Sequence, residues 1–189
     1  MFDREYRQLA ESIDSVFFNL TTFPLDSPSL GQHRLSNQGW CPLEILEHVS
    51  LANRFLILTL DKWKKKADRR IETQPLAPGQ QEMGLGRIRP IGQRGSFHWK
   101  NPDHMAPCGN RSLDDLLSEI RDQANHLKAT LHGMRDGRGL LCKITMNVHQ
   151  LGKINLYQWI AFIVEHARRH QQQLEEIRMD HLLKGWIAE

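Results

Sequence analysis

The chain has 189 residues, enough for one domain with a full core, and its 40% hydrophobic and 25% charged content is ordinary for a soluble globular protein. A formal charge of +3 is too small to demand nucleic acid or an acidic membrane as a partner. Cys41, Cys108 and Cys142 are widely spaced and odd in number, so they make no C-x-x-C pair and no disulfide framework, which fits a reducing cytosol.

Acidic residues in the opening Met-Phe-Asp-Arg-Glu-Tyr-Arg argue against a signal or transit peptide. The longest uncharged stretches, such as residues 154–164, reach only about half the length that spans a bilayer. A cytoplasmic protein without a membrane partner is expected.

The first helical segment covers residues 3–20, with Tyr6, Leu9, Ile13, Val16, Phe17 and Leu20 on one face. Residues 21–39 break the pattern with Pro24, Pro28, Gly31 and Gly39. A second helix starts at Trp40-Cys41-Pro42, where proline suits the first helical position because its missing N–H is harmless there. Its stripe is Ile45, Val49, Ala52 and Leu56, widened by Leu46 and Phe55, and His48 falls inside it. The helix is expected to end in the basic run of residues 62–70. Residues 71–111 hold five prolines, with five glycines interleaved among them and a sixth at Gly109. So long a connection in a compact domain reads as an ordered lid or wrap, with Phe97 and Trp99 available to pin it to the helices.

Ser112 with Asp115 resembles a capping box and opens a third helix, whose apolar face is Leu116, Ile120, Ala124, Leu127 and Leu131 and which the glycines from Gly133 end. Val148, Leu151 and Ile154 suit one short strand or a cover over one end of the helices, and there is no hairpin signal. The fourth helix runs from Asn155, with Gln158 as a second capping-box partner, to about Met179. Four amphipathic helices without alternating strands predict an all-α four-helix bundle with long connections after the first and second helices.

The last helix carries the chemical signal. Its stripe is Trp159, Ile163, His166, His170, Leu174 and Ile177, and steps of three and four keep these residues on one face. Burying an unpaired polar group costs on the order of a few kcal/mol, whereas two imidazoles one turn apart can share a divalent metal. Ten histidines make one H-x-x-x-H spacing close to what chance supplies, so position matters more than spacing. His48 adds a third imidazole on the core stripe of another helix, the way bundles build metal sites. The competing reading is a set of half-buried histidines bonded to carbonyls or carboxylates. Three protein ligands leave a coordination position open, as in catalytic sites, and imidazole ligation alone does not choose among zinc, nickel, copper and iron. Among the other histidines, His98 and His104 are the two that a lid could bring to the metal.

Two segments carry a family resemblance. Gly39-Trp40-Cys41-Pro42-Leu43-Glu44-Ile45-Leu46-Glu47-His48 resembles the opening of the second helix in the DinB/YfiT superfamily. His149-Gln150-Leu151-Gly152 followed by Leu156-Tyr157-Gln158-Trp159 and by His166-Ala167-Arg168-Arg169-His170-Gln171-Gln172-Gln173 resembles its last helix, H-x-x-x-H-x-x-Q. The resemblance spans roughly residues 1–179. It implies an up-down-down-up bundle, frequent dimers, and a zinc or nickel ion held by the residues matching His48, His166 and His170. It also implies metal-dependent hydrolases or enzymes that transfer small thiols. Two departures stand out: Gln150, where many relatives carry proline, and the idiosyncratic residues 71–111.

The expected function is therefore a divalent-metal-dependent hydrolase or small-thiol transferase acting on a small-molecule substrate, with the general base unassigned. The alternative is a non-catalytic bundle that binds a partner with a structural metal or none. Glu47 and Glu165 each precede a metal-ligand candidate and so turn about 100° from its face, which makes them solvated or rim carboxylates. Nucleic-acid binding ranks last: Lys62, Lys64, Lys65, Lys66, Arg69 and Arg70 read as a solvated helix end, with only Trp63 to stack on a base. Cys41 and Trp159 read as packing residues, and Trp40 as a lock on the entry to the second helix.

Overall fold

A computed structural model describes all residues except 26, 37–38, 75, 77–81, 97–101 and 188–189, and the side chains of 186 and 187. The helices are α1 (Phe2–Thr21), α2 (Pro28–Gln32), α3 (Pro42–Thr73), α4 (Leu113–His132) and α5 (Leu156–Ile187). Strands β1 (Lys143–Met146) and β2 (Gly152–Asn155) form an antiparallel hairpin. Phe97, Trp99 and His98 lie outside the described residues.

Four long helices form a square in which α1 and α3 each pack against both α4 and α5. Side-chain contacts give their directions. Trp159 Nε1 donates to the Leu56 carbonyl at 3.0 Å and His48 meets His166, so α3 and α5 run antiparallel. Asn53 bonds Gln123 and Asp61 bonds His126, so α3 and α4 run parallel. Asp14 pairs with Lys128, and Arg135 lies over Tyr6, so α1 opposes α4. Phe2 touches Tyr157 while residues 8–15 face residues 161–172, so α1 and α5 are parallel. The order is up-down-down-up.

The apolar stripes carry the core as the periodicity predicts, with Ile13, Leu20, Ile45, Val49, Ile120, Leu127, Ile163 and Leu174 fully buried. Phe55 is the exception. It is 47% exposed, on the flank of α3, and its ring faces His104. Both α-helix starts with a predicted side-chain cap have one. Ser112 Oγ accepts the Asp115 N–H at 3.2 Å. Asn155 and Gln158 bond reciprocally, at 2.9 and 3.0 Å.

Several boundaries differ from the sequence expectation. The basic run does not end α3, which continues to Thr73. Lys64 pairs with Asp68 one turn on, Arg138 bonds the same carboxylate, and Ala67 is buried between them, so the run is a packed helical turn. α5 continues to Ile187, past Met179, with Asp180 paired to Lys184 and His33. Pro28 opens the short α2, capped by Ser27 Oγ, inside a stretch that reads as irregular.

The hairpin is a further correction. Its turn has no Asn-Gly or similar signal because His149 and Gln150 themselves take left-handed backbone, φ +49° and +53°. A proline at position 150, with φ fixed near −65°, could not make this turn.

The described part of residues 71–111 is a wrap. Met83, Ile88 and Ile91 are fully buried, and the Glu5 carboxylate accepts the N–H groups of Met83, Gly84 and Leu85. Farther on, Arg94 pairs with Glu176 at 2.9 Å.

Candidate metal centre

α3 and α5 present one side chain cluster to the bundle interior. Within the first two turns of α3, Pro42 and Glu44 fix the helix start: Glu44 accepts the Cys41 N–H at 2.9 Å. That places His48 nearly two turns in from the helix start. α5 passes in the opposite direction, and its i, i+4 pair His166 and His170 meets His48 there. His166 Nε2 lies 3.2 Å from His48 Nε2 and 3.2 Å from His170 Nε2, and the donor atoms of all three residues lie within 4.8 Å of one another. The rings are mutually edge-on and buried, at 4%, 3% and 8% exposure. All three sequence-predicted residues are thus brought together, and they are the group among the described residues that could hold a metal ion.

The donor chemistry tests the fit. His48 Nδ1 is 2.7 Å from the Met105 carbonyl, and His170 Nδ1 is 3.1 Å from Gln173 Oε1. Both partners are acceptors, so each Nδ1 carries the proton and each Nε2 presents a bare lone pair. Two bare lone pairs then face His166 Nε2, whose proton could serve only one of them. A cation at the centre satisfies all three. Zinc–imidazole bonds of about 2.0–2.1 Å in a tetrahedron put ligand nitrogens about 3.3 Å apart, close to the separations found.

Electrostatics point the same way. Burial, reinforced by His170 and His48, holds His166 well below the ordinary imidazole value. Burial also lowers His48, against the Met105 hydrogen bond, and pushes His170 down to about 3. Neutral imidazoles are the form that ligates metal.

Residues not assigned by the sequence complete the surroundings. The Trp40 ring lies 4.7 Å from His48 and 6.5 Å from His170, centroid to centroid, so it walls the site and does more than start a helix. Met105 acts through its carbonyl, which no side-chain pattern could reveal. Gln173 was visible as the last letter of H-x-x-x-H-x-x-Q. His104 does not reach the centre; its ring is 5.0 Å from Phe55.

Glu47 corrects the expectation of a solvated carboxylate. It is 2% exposed and accepts from Gly109 N at 2.8 Å, Cys108 N at 3.2 Å and Cys108 Sγ at 3.0 Å. Glu165 is half-buried on the other flank of α5. It pairs with Arg168, and burial raises its pKa. It presses on Gly92 so closely that a Cβ there would stand 2.1 Å from its Oε2. It borders a cleft of about 660 Å³ with Arg89 and Gln172, away from the three histidines. Cys41 is buried, and burial raises its thiol pKa, which favours packing over nucleophilic chemistry. Trp159 is core, as expected.

No helix among the described residues is long and apolar enough to cross a membrane. No match is found among curated proteins or among solved structures. The family profile of the DinB superfamily matches residues 3–174, which takes in both histidine-bearing helices. With that match over most of its length, the chain belongs to the DinB superfamily.

Proposed function

We propose that the protein is a divalent-metal-dependent enzyme, a hydrolase or a small-thiol transferase, with His48, His166 and His170 holding zinc or nickel. The observation that carries this reading is the convergence of three imidazole Nε2 atoms from two helices, with the second nitrogens of His48 and His170 already committed to acceptors. Bound there, such an ion would lower the pKa of a coordinated water or thiol toward neutrality, which serves hydrolysis in the first case and thiol transfer in the second.

The chain's own residues do the rest. Met105 and Gln173 orient two rings, and Trp40 bounds the space beside them with an apolar face. Glu47 and Glu165 are held by other partners, so neither is offered as the general base. A small-molecule substrate is favoured over nucleic acid by the state of the basic run. Lys64 is paired, Arg70 Nη1 donates to the Leu141 carbonyl, and Trp63 is covered by Lys66 at 4.0 Å.

Metal analysis of tag-free protein tests the site. We expect one equivalent of zinc or nickel, lost in His48→Ala and in His166→Ala while helical circular dichroism persists. Wild-type protein that stays metal-free after reconstitution would establish the non-catalytic binding module instead. Turnover of small thiols with electrophiles, or of amide and ester substrates, then separates the two reactions.

A further inference from the structure

Glu47 and His48 are consecutive, and both reach the same short stretch of backbone. His48 Nδ1–H donates to the Met105 carbonyl at 2.7 Å. Three residues on, the Glu47 carboxylate collects the Cys108 N–H, the Cys108 thiol and the Gly109 N–H. Residues 102–109 therefore form a strap that crosses the outer end of α3 and is fastened at two points by neighbouring side chains. The strap has little else to hold it. Residues 102–104, 106 and 108–110 are exposed, and its one helical piece is the 3-10 turn Asp103–Met105. Gly109 closes it with a left-handed backbone, φ +73°.

A carboxylate 2% exposed requires compensation, because removing a charge from water is expensive unless hydrogen bonds replace the lost solvation. Three donors supply it, and charge-assisted bonds of this kind are the stronger ones. This is the arrangement that Glu5 makes with Met83, Gly84 and Leu85 at the other wrap. There the tie only anchors a loop. At Glu47 the anchored loop carries the carbonyl that sets a ligand's tautomer.

We propose that Glu47 is a positioning residue for the metal site. By tying down Cys108 and Gly109 it holds the Met105 carbonyl against His48 Nδ1 and so keeps His48 Nε2 bare and aimed at His166 and His170. The proposal rests on the metal reading above, but the tautomer of His48 can be tested without metal.

The experiment compares wild type with Glu47→Ala, Gly109→Ala and Met105→Ala, using two readouts. Nitrogen NMR of the His48 ring in zinc-free protein at neutral pH reports the tautomer. Competition with a chromogenic chelator reports zinc affinity. In wild type, His48 is expected in the single Nδ1–H form. Glu47→Ala is expected to give a mixture of both forms and to weaken zinc binding roughly ten- to a hundred-fold, the range for lost partners of metal ligands. Gly109→Ala keeps the Glu47 carboxylate but strains the turn whose N–H it accepts, and moves both readouts the same way by less; it decides the question should Glu47→Ala fail to fold. Met105→Ala keeps the carbonyl and stays near wild type. A single Nδ1–H tautomer with unchanged zinc affinity in the glutamate and glycine variants overturns the proposal. Wild type that binds no zinc refutes the metal reading, while the tautomer still decides the role of Glu47.

Discussion

Two of the buried polar clusters among the described residues differ in how their atoms meet, and the difference bears on function. Between α3 and α4, Asn53 Nδ2 donates to Gln123 Oε1 at 3.0 Å, and Gln123 Nε2 donates to the Ser50 carbonyl at 2.9 Å. Each of these bonds joins a donor to an acceptor, as buried amides do when they fix the alignment of two helices. Between α3 and α5, the three imidazoles turn like atoms toward one point. Burial is similar in both: Gln123 is 8% exposed and His170 is 8% exposed. Buried polarity alone therefore does not mark function. The mark is the convergence of three like atoms on one point, with the second nitrogens of His48 and His170 held by acceptors.

The largest test of that contrast is removal of the metal. A ligand that binds only the folded chain stabilises it by about 2.7 kcal/mol at a hundred-fold excess over its Kd. Chelation should therefore lower the melting temperature of zinc-loaded wild type by several degrees and leave His166→Ala unmoved. Equal melting temperatures for loaded and stripped wild type would show that the imidazoles are only packed.

The amide cluster should answer in the opposite way. Gln123→Ala leaves Asn53 Nδ2 buried without its acceptor, which costs about 1–3 kcal/mol. Zinc stoichiometry should stay at the wild-type value. Urea denaturation together with metal analysis checks both halves, and loss of zinc in this variant would mean that the clusters are coupled.

The triad was legible because helical period is the strongest local signal. His48, His166 and His170 sit on stripes whose apolar members fix the face that turns inward. The bundle was legible for the same reason, and so was the Asn155–Gln158 cap. What escaped was backbone. The Met105 carbonyl, the turn that His149 and Gln150 build with positive φ, and the strap that Glu47 fastens all depend on main-chain groups, which carry no residue-type signature. Helix ends escaped because tertiary pairing, as of Asp68 with Arg138, prolongs a helix beyond its own apolar pattern.

A third polar contact, at the rim, bounds the comparison from below. Arg34 bonds both oxygens of Glu44, the residue that also receives the Cys41 N–H at the start of α3. The guanidinium holds Glu44 below its ordinary carboxylate value of 4.5. A carboxyl depressed in this way contributes stability that is fully present above about 4.5 and is lost as the pH falls through the lower, folded value. The pair is partly exposed, Arg34 at 36% and Glu44 at 20%, so solvent screening limits its worth to about 0.2–1 kcal/mol. Arg34→Ala should therefore unfold slightly earlier than wild type in urea at neutral pH, and the gap should close in acid. The bond tightens the first turn of α3, four residues before His48, and touches none of the His48 contacts with Met105 and His166, so zinc stoichiometry should remain one. A gap that persists in acid would assign the effect to lost packing of the arginine stem and not to its charge.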